Sequence, residues 1–570
     1  MASLVLELGL IVGIAAVLAL IGRLIKQPPL IAYLLTGLII GPLFLNLLTS
    51  AELVESLAHI GVALFLFIVG LELDFRVLKD IGKVAAIAGI GQVIITFTLG
   101  FIVSSLLGFD AISTLYIATA LAFSSTAVIS LFAKNELNIE TLHGKIAIGI
   151  LIFQDLIAAF LLIILPVIGT GEPFLLADVM LQMWKGLIAI IAVLLLSVFV
   201  VSAFLKIAVK NQEILFLFSL GWALLVAIFF DYLGLTLEVG ALIAGMALAS
   251  SKYSIEMTSK MKGIRDFFVL MFFVFFGSLV TGPITTSLII NAVILSAVVL
   301  IGNPIIVMTL MKFTGYKKKT NFYTGLTIAQ ISEFSLILLF IGFGMGAVTQ
   351  EVLSLIILTG LITFAISSYS LHHLEKIYRL FEPFLGMFDN KNSEIGQPLK
   401  GETYDIILFG YNRIGYNLVK AFNKTNKKFL IVDFNPKTIK NLTEKKIPCV
   451  YGDANDLALL EELKLSQASM VISTIPYYDT NMQILQFLED KKVPFIPTAH
   501  SIDDAKKLYN LGAPYVIMPH FLGGEYMQNL LLNTNFDKKA IKKKGDEHRH
   551  DLFERMKLGH DHPKKDYHGL

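Results

Sequence analysis

Thirteen apolar stretches lie before residue 372 of this 570-residue chain, each close to the length of a membrane-crossing helix. A bilayer's hydrocarbon core is about 30 Å thick and takes about 20 apolar residues per helix. By that measure the stretches fall near 4–22, 30–48, 56–73, 83–107, 112–133, 145–168, 186–209, 213–231, 234–250, 267–280, 285–311, 322–345 and 350–371. Lipid offers backbone groups no partners, so such a segment must bond within itself. The pattern therefore predicts an all-α polytopic membrane domain over residues 1–371. Composition agrees, at 55% hydrophobic against 16% charged. Leu4–Ile21 has no basic segment before it and no small-residue cleavage pattern after it; it reads as a retained span.

Cytoplasmic loops accumulate Lys and Arg. Alternate loops hold 17 of these residues, whereas the intervening loops hold only Lys185. That asymmetry predicts an external N-terminus and a cytoplasmic chain after residue 371, in a plasma membrane or cell inner membrane. The net charge of +2, with its basic excess in a tail, gives no footprint for nucleic acid. A single cysteine, Cys449, excludes an internal disulfide and a cysteine-based zinc cluster.

Hydropathy falls at His372. Residues 372–401 read as a partly amphipathic linker ending in turn formers. From 402 to 536, short β-branched runs (YDIILF, FLIV, PCVY, MVIS, PFIP, YVIM) alternate with helical stretches, which predicts a parallel, Rossmann-like α/β domain. Residues 537–570 are rich in Lys, Asp and His without apolar periodicity and read as a disordered, solvated tail. That tail holds His548, His550, His560, His562 and His568.

An ionised side chain at the centre of a membrane helix costs about 2.5–3.5 kcal/mol even on a lenient scale, so one retained there marks a functional site. Asp155 lies in the middle of the sixth stretch and Glu333 near the midpoint of the twelfth, beside the amides Gln154 and Gln330. Glu72, Asp74, Asp231 and Glu238 stand at the ends of stretches and read as interfacial. A carboxyl out of water favours its protonated form. Once ionised, it is the hard oxygen ligand that a partly dehydrated Na⁺ or K⁺ requires. A proton and a cation competing for one site, open alternately to each face, amounts to exchange. Two polar patches fit this chemistry: Ser124, Ser125 and Thr126 in stretch five, and Gln330, Ser332 and Glu333 in stretch twelve. Paired interrupted helices are where inverted-repeat transporters place their ion sites.

The segments Gly61–Leu73 (GVALFLFIVGLEL), Phe123–Val128 (FSSTAV), Phe153–Asp155 and Glu333–Phe334 together resemble the Kef-type members of the monovalent cation:proton antiporter-2 family. The resemblance implies that stretches five and twelve are crossed broken helices and that Asp155 binds cation and proton. Gln154, Ser124, Ser125, Thr126, Ser332 and Glu333 would be neighbouring contacts, supported by Asn303, Gln330 and Glu72. Many relatives carry Lys in a Gly-Lys-Pro-like stretch of span eleven, where this chain has Gly302-Asn303-Pro304. The missing base implies electroneutral exchange, one proton for one cation.

Tyr404–Gly410, then Asn412, Arg413, Ile414 and Gly415, read as strand, turn and helix, with Asp433 at the end of the next strand. This is the dinucleotide-binding arrangement: phosphate at the helix N-terminus, an acid for the ribose hydroxyls. Asn412 replaces the middle glycine of the fingerprint. Tyr451-Gly452-Asp453-Ala454 resembles the signature of K⁺-transport nucleotide-binding domains, also called regulator-of-conductance domains. NAD(H) or AMP is the implied regulatory ligand, and no catalytic cofactor is indicated.

The combined reading is a homodimeric secondary antiporter, not an enzyme, that exchanges K⁺ for H⁺ under the control of an adenine nucleotide. Na⁺/H⁺ exchange on the same fold is the first alternative. A nucleotide-gated channel is the second, and the sequence has no Thr-Val-Gly-Tyr-Gly filter loop to support it. A membrane sensor without transport is the third.

Overall fold

The computed structural model describes residues 2–47, 51–72, 78–125, 142–169, 176–209, 211–249, 251, 253–282, 284–388, 403–411, 414–425, 427–452, 454 and 457–557. Two compact units result, Met1–Asn390 and Lys391–Leu570.

In the first unit, helix is present at each of the thirteen expected stretches among the described residues. The helices are α1 (Ala2–Leu24), α2 (Pro29–Ile40), α3 (Ala51–Glu72), α4 (Leu78–Leu106), α5 (Ala111–Ala122), α6 (Leu142–Gly169), α7 (Leu176–Leu196), α8 (Ser202–Ala208), α9 (Gln212–Tyr232), α10 (Leu237–Ala249) and α11 (Ser254–Ser278). There follow α12 (Thr286–Ala297), α13 (Asn303–Lys312), α14 (Lys318–Thr327), α15 (Glu333–Gly344) and α16 (Gln350–His372). π-Helical turns, Ser197–Val201 and Val298–Gly302, join α7 to α8 and α12 to α13. The tenth stretch starts earlier than hydropathy indicates, because the first half of α11 carries Glu256, Lys260, Lys262 and Arg265.

The helices sort into two packing groups. α3 lies on α10 and α11, and α2 on α1 and α11; separately, α4 lies on α5, α6 and α13, α14 on α6 and α13, and α15 on α5 and α6. Between apolar helices in lipid there is no hydrophobic drive to associate, so close backbone approach at small residues carries the packing. A Cβ at Gly245 of α10 would lie 2.0 Å from the Phe67 carbonyl of α3, and one at Gly277 of α11 would lie 2.1 Å from the Leu34 carbonyl of α2. The second group is instead tied by the polar contacts of the site.

The second unit is a five-stranded parallel sheet ordered β3-β2-β1-β4-β5, with β1 (Ile406–Phe409), β2 (Phe429–Asp433), β3 (Cys449–Tyr451), β4 (Met470–Ser473) and β5 (Phe495–Ile496). β1 to β3 are buried along their whole length, as expected of strands covered on both faces. The strand order reverses between β1 and β4, the switch point at which such sheets bind ligands. Helix α18 (Gly415–Phe422) follows β1.

The tail departs from expectation. Residues Lys538–Lys557 form a helix, α24, rather than a disordered segment. Its support is charge spacing, which a search for apolar periodicity passes over. Arg555 and Asp551 pair four residues apart at 2.9 Å, and Lys544 and Glu547 three apart at 2.8 Å. Asp551 also accepts from Lys420 of α18 at 2.6 Å, and Arg555 donates to Asn417 at 2.5 Å and stacks on the Tyr416 ring. His548 and His550 are exposed on this helix, while His560, His562 and His568 lie outside the described residues.

Gly245→Ala is expected to lower the unfolding temperature of the detergent-solubilised protein, at a cost of about 1–3 kcal/mol for overpacking a helix contact. Gly263→Ala, where an added Cβ meets nothing within 4 Å, serves as the neutral control.

Candidate ion-binding and nucleotide-binding sites

The membrane site is built by two helices that stop in mid-stretch. α5 ends at Ala122, and Phe123 turns extended at φ −103° and ψ 146°, leaving Ser124 and Ser125 outside any helix. α14 ends at Thr327, Ile328–Ser332 is non-helical, and Ser332 caps α15 by accepting from the Phe334 amide at 3.1 Å. Each break leaves backbone groups without helical partners, and the two breaks supply one another. Ser124 Oγ donates to the Ile328 carbonyl at 2.8 Å, Gln330 Nε2 to the Ser125 carbonyl at 3.3 Å, and Ser335 Oγ to the Ala120 carbonyl at 2.6 Å. Ser125 Oγ donates to Glu333 Oε1 at 2.6 Å. Ser367 of α16 donates to Gln330 Oε1 at 2.6 Å and holds that amide in place.

Asp155 comes from the unbroken α6 and is 5% exposed. Among the described residues, no hydrogen bond reaches its carboxylate, and the charge that acts on it is that of Glu333. Two carboxylates in one low-dielectric site repel unless a proton or a cation lies with them. α5 and α14 both end at this crossing, and the carbonyl ends of helices attract cations. The arrangement is chemically suited to hold one small positive ion or one proton.

Gln154, the neighbour of Asp155, does different work. Its Oε1 accepts from the Ser124 amide at 3.0 Å, and its Nε2 donates to Gln92 Oε1 of α4 at 2.6 Å. Gln92 Nε2 in turn lies 3.2 Å from Asn303 Oδ1 and 3.2 Å from the Ala122 carbonyl, and Thr96 Oγ1 donates to the same Asn303 oxygen at 2.7 Å. Gln92 and Thr96 are fully buried, and the sequence reading did not include them. A buried Gln and Thr four apart on an apolar stretch was the signal available. Asn303 thus serves this amide network and is bonded to α4, with its Nδ2 buried and, among the described residues, without a hydrogen-bond partner.

Two expectations are corrected. Glu72 does not join the site: it ends α3, its side chain is 55% exposed, and it faces Arg265 at 4.0 Å, because a carboxylate at a helix end can reach both water and a basic partner. Glu238 is not interfacial but 4% exposed, bonded at 3.4 Å to His59, a partner distant in sequence. Thr126 lies outside the described residues.

In the α/β unit, β1 runs into Gly410, whose φ of +85° is left-handed and favours glycine. A Cβ at Gly415 would lie 2.3 Å from the Gly410 carbonyl, so this glycine lets α18 start against the loop. Ile414 leads into that helix and Ala454 is buried, whereas Asn412, Arg413 and Asp453 lie outside the described residues. Asp433 closes β2 and is buried, with Oδ2 accepting from the Tyr411 amide at 2.9 Å and Oδ1 from the Asn435 amide at 2.8 Å. It therefore anchors the glycine loop, and a ribose would have to share its oxygens. Burial pushes this carboxyl up to about 6, against the two backbone amides, which pull it down.

Interrupted helices that cross beside a buried acid, followed by a parallel-sheet unit with a glycine loop, define a membrane ion transporter with an appended dinucleotide-fold domain. The chain belongs to the sodium/hydrogen exchanger family, whose transmembrane region matches residues 11–376; residues 406–519 match the TrkA-N domain. It is 30% identical over 344 residues to K(+) efflux antiporter 5 of Arabidopsis thaliana, with 59% of this chain matched to 60% of the plant protein's length, less than two thirds of it. It is 25% identical over 513 residues to the glutathione-regulated potassium-efflux system protein KefC of Shigella sonnei, covering 88% of this chain and 80% of that protein. The sodium proton antiporter MjNhaP1 of Methanocaldococcus jannaschii shares the fold of the membrane unit at 19% identity and TM-score 0.52, covering 67% of this chain and 98% of that one.

Gln92→Leu removes the acceptor of Gln154 Nε2 and one donor to Asn303, and is expected to cost about 1–3 kcal/mol of stability, read as a lower unfolding temperature. Asp433 gives a pH signature. Its folded value of about 6 exceeds the ordinary 3.8, so between these values the folded state holds a proton that the unfolded state has released. Its contribution to stability therefore falls as pH rises through that window, by on the order of 3 kcal/mol, and is flat above it. Compared with Asp433→Asn, the wild-type α/β unit should show this extra loss in thermal unfolding between about pH 4 and pH 6.

Proposed function

We propose that this chain is a secondary antiporter that exchanges K⁺ for H⁺ at Asp155 by alternating access, with one proton moved for each cation. The observation that carries the reading is a buried carboxylate that has no hydrogen bond among the described residues, at the crossing of two interrupted helices. A structural acid in lipid would be tied to donors, as Glu333 is to Ser125. Asp155 is left for a ligand that comes and goes. Ser124, Ser125, Thr126 and Glu333 are its supporting contacts in this reading, and the carbonyl ends of α5 and α14 complete the field.

One-for-one exchange follows from charge. Where a base would pair with the acid, Asn303 is neutral and held by Gln92 and Thr96. The carboxylate then trades one positive charge for another, and no net charge crosses the membrane. The choice of K⁺ rests on the potassium-efflux relatives, and Na⁺ is the alternative that the sodium-antiporter fold supports. The basic loops support a cytoplasmic α/β unit, where NAD(H) or AMP at the Gly410–Gly415 loop would regulate exchange.

The test is flux of Li⁺, Na⁺, K⁺ and Rb⁺ against a pH gradient in proteoliposomes, with and without valinomycin. K⁺-dependent proton movement that leaves the membrane potential unchanged is expected, and Asp155→Asn should abolish it. Transport that survives in Asp155→Asn would overturn the assignment of the site. Flux that drives a membrane potential would overturn the stoichiometry alone.

A further inference from the structure

Helix α16 ends at His372, and a new helix, α17 (Leu374–Phe381), begins after the single residue His373 and continues as a 3₁₀ turn over Glu382–Phe388. This segment has three sides. Leu374, Tyr378 and Leu385 are buried against the membrane unit at 8, 6 and 4% exposure. Glu375 and Glu382 face α14, where they meet Lys319 at 3.5 Å and Lys318 at 3.0 Å, and Tyr323 also donates to Glu375. On the third side Leu380, Phe384 and Met387 are 70, 73 and 69% exposed, and Phe381 is 47% exposed.

Four large apolar side chains within eight residues form a patch too concentrated to count as scattered surface hydrophobes. Its location identifies what covers it. The segment starts where a membrane helix stops, so it lies at the level of the bilayer surface. The Met387 carbonyl accepts from Lys312 at 2.8 Å, which sets Met387 beside the end of α13, and the next residue there, Phe313, is 80% exposed. The apolar patch thus continues the lipid-facing surface of the spans. An amphipathic helix with its polar side elsewhere occupied lies in such an interface with its apolar side among the acyl chains.

We propose that Leu374–Phe388 is an interfacial segment that seats Leu380, Phe384 and Met387 in the leaflet at which α16 ends. The carboxylates on its second side then hold the first turn of α14 at a fixed height relative to the lipid. α14 ends at the break that carries Gln330, so the bilayer surface becomes a reference point for the ion site.

The test uses the full chain in proteoliposomes, with Cys449→Ser as background and an environment-sensitive fluorophore attached at Phe384→Cys, at Leu380→Cys or at Arg379→Cys, whose native side chain is exposed and pairs with Glu375 on the polar side. Expected are a blue-shifted emission at 384 and 380 and quenching by shallow nitroxide-labelled lipids several-fold stronger than by aqueous iodide, with the order reversed at 379. Equal access of iodide to 384 and 379 would overturn the proposal. Protection of 384 and 380 from both quenchers would also overturn it, because another part of the chain or a second copy would then be the cover. Labelling at two separate apolar positions keeps the test decisive if one variant fails to fold.

Discussion

Backbone amides and carbonyls in lipid have no water to turn to, and the site exists because two helix breaks answer each other's unmet groups. Ser124 reaches the Ile328 carbonyl, Gln330 reaches the Ser125 carbonyl, and Ser335 reaches the Ala120 carbonyl. Neither break is tenable alone, since each orphaned group would cost free energy comparable to a lost hydrogen bond. Once these short side chains are committed to backbone, the polar groups left at the crossing are carboxylates and helix carbonyl ends, whose charge suits a cation rather than an anion.

The division of labour among the acids follows from the same constraint. Glu333 begins α15, where the helix N-terminus favours negative charge, and it accepts from Ser125. Asp155, thirteen residues into an unbroken helix, has neither advantage. Its burial is offset by no donor among the described residues.

Much of this was legible in the sequence because it is local. Apolar runs mark the spans, clustered Ser and Thr mark the breaks, and an Asp at the centre of a run marks the buried acid beside them, since each depends on residues within one helix. The amide network was not legible: Gln92, Gln154 and Asn303 are separated by 62 and then 149 positions, and no spacing rule joins three helices. Asn303 was noticed for the base it lacks, yet its bonds run to α4 and not to Asp155. The tail helix escaped for a related reason. Its partners, Lys420 and Asn417, lie more than 130 positions away, and its own residues carry charge periodicity without an apolar stripe. Glu238 looked interfacial because its partner, His59, is on another helix.

The α14 helix is where these strands of the structure meet. At one end it opens into the break that faces Ser124 and Ser125; at the other, Lys318 and Lys319 are gripped by Glu382 and Glu375. Asn321, one turn further on, donates to the Phe388 carbonyl, the last described residue before the chain passes on toward the α/β unit. Glu375 and Glu382 are 48 and 43% exposed, so each ion pair is weak by itself and the grip rests on several contacts acting together. Tyr323, which donates to Glu375 and stacks edge-on against His143 of α6, extends the same grip to the helix that carries Asp155.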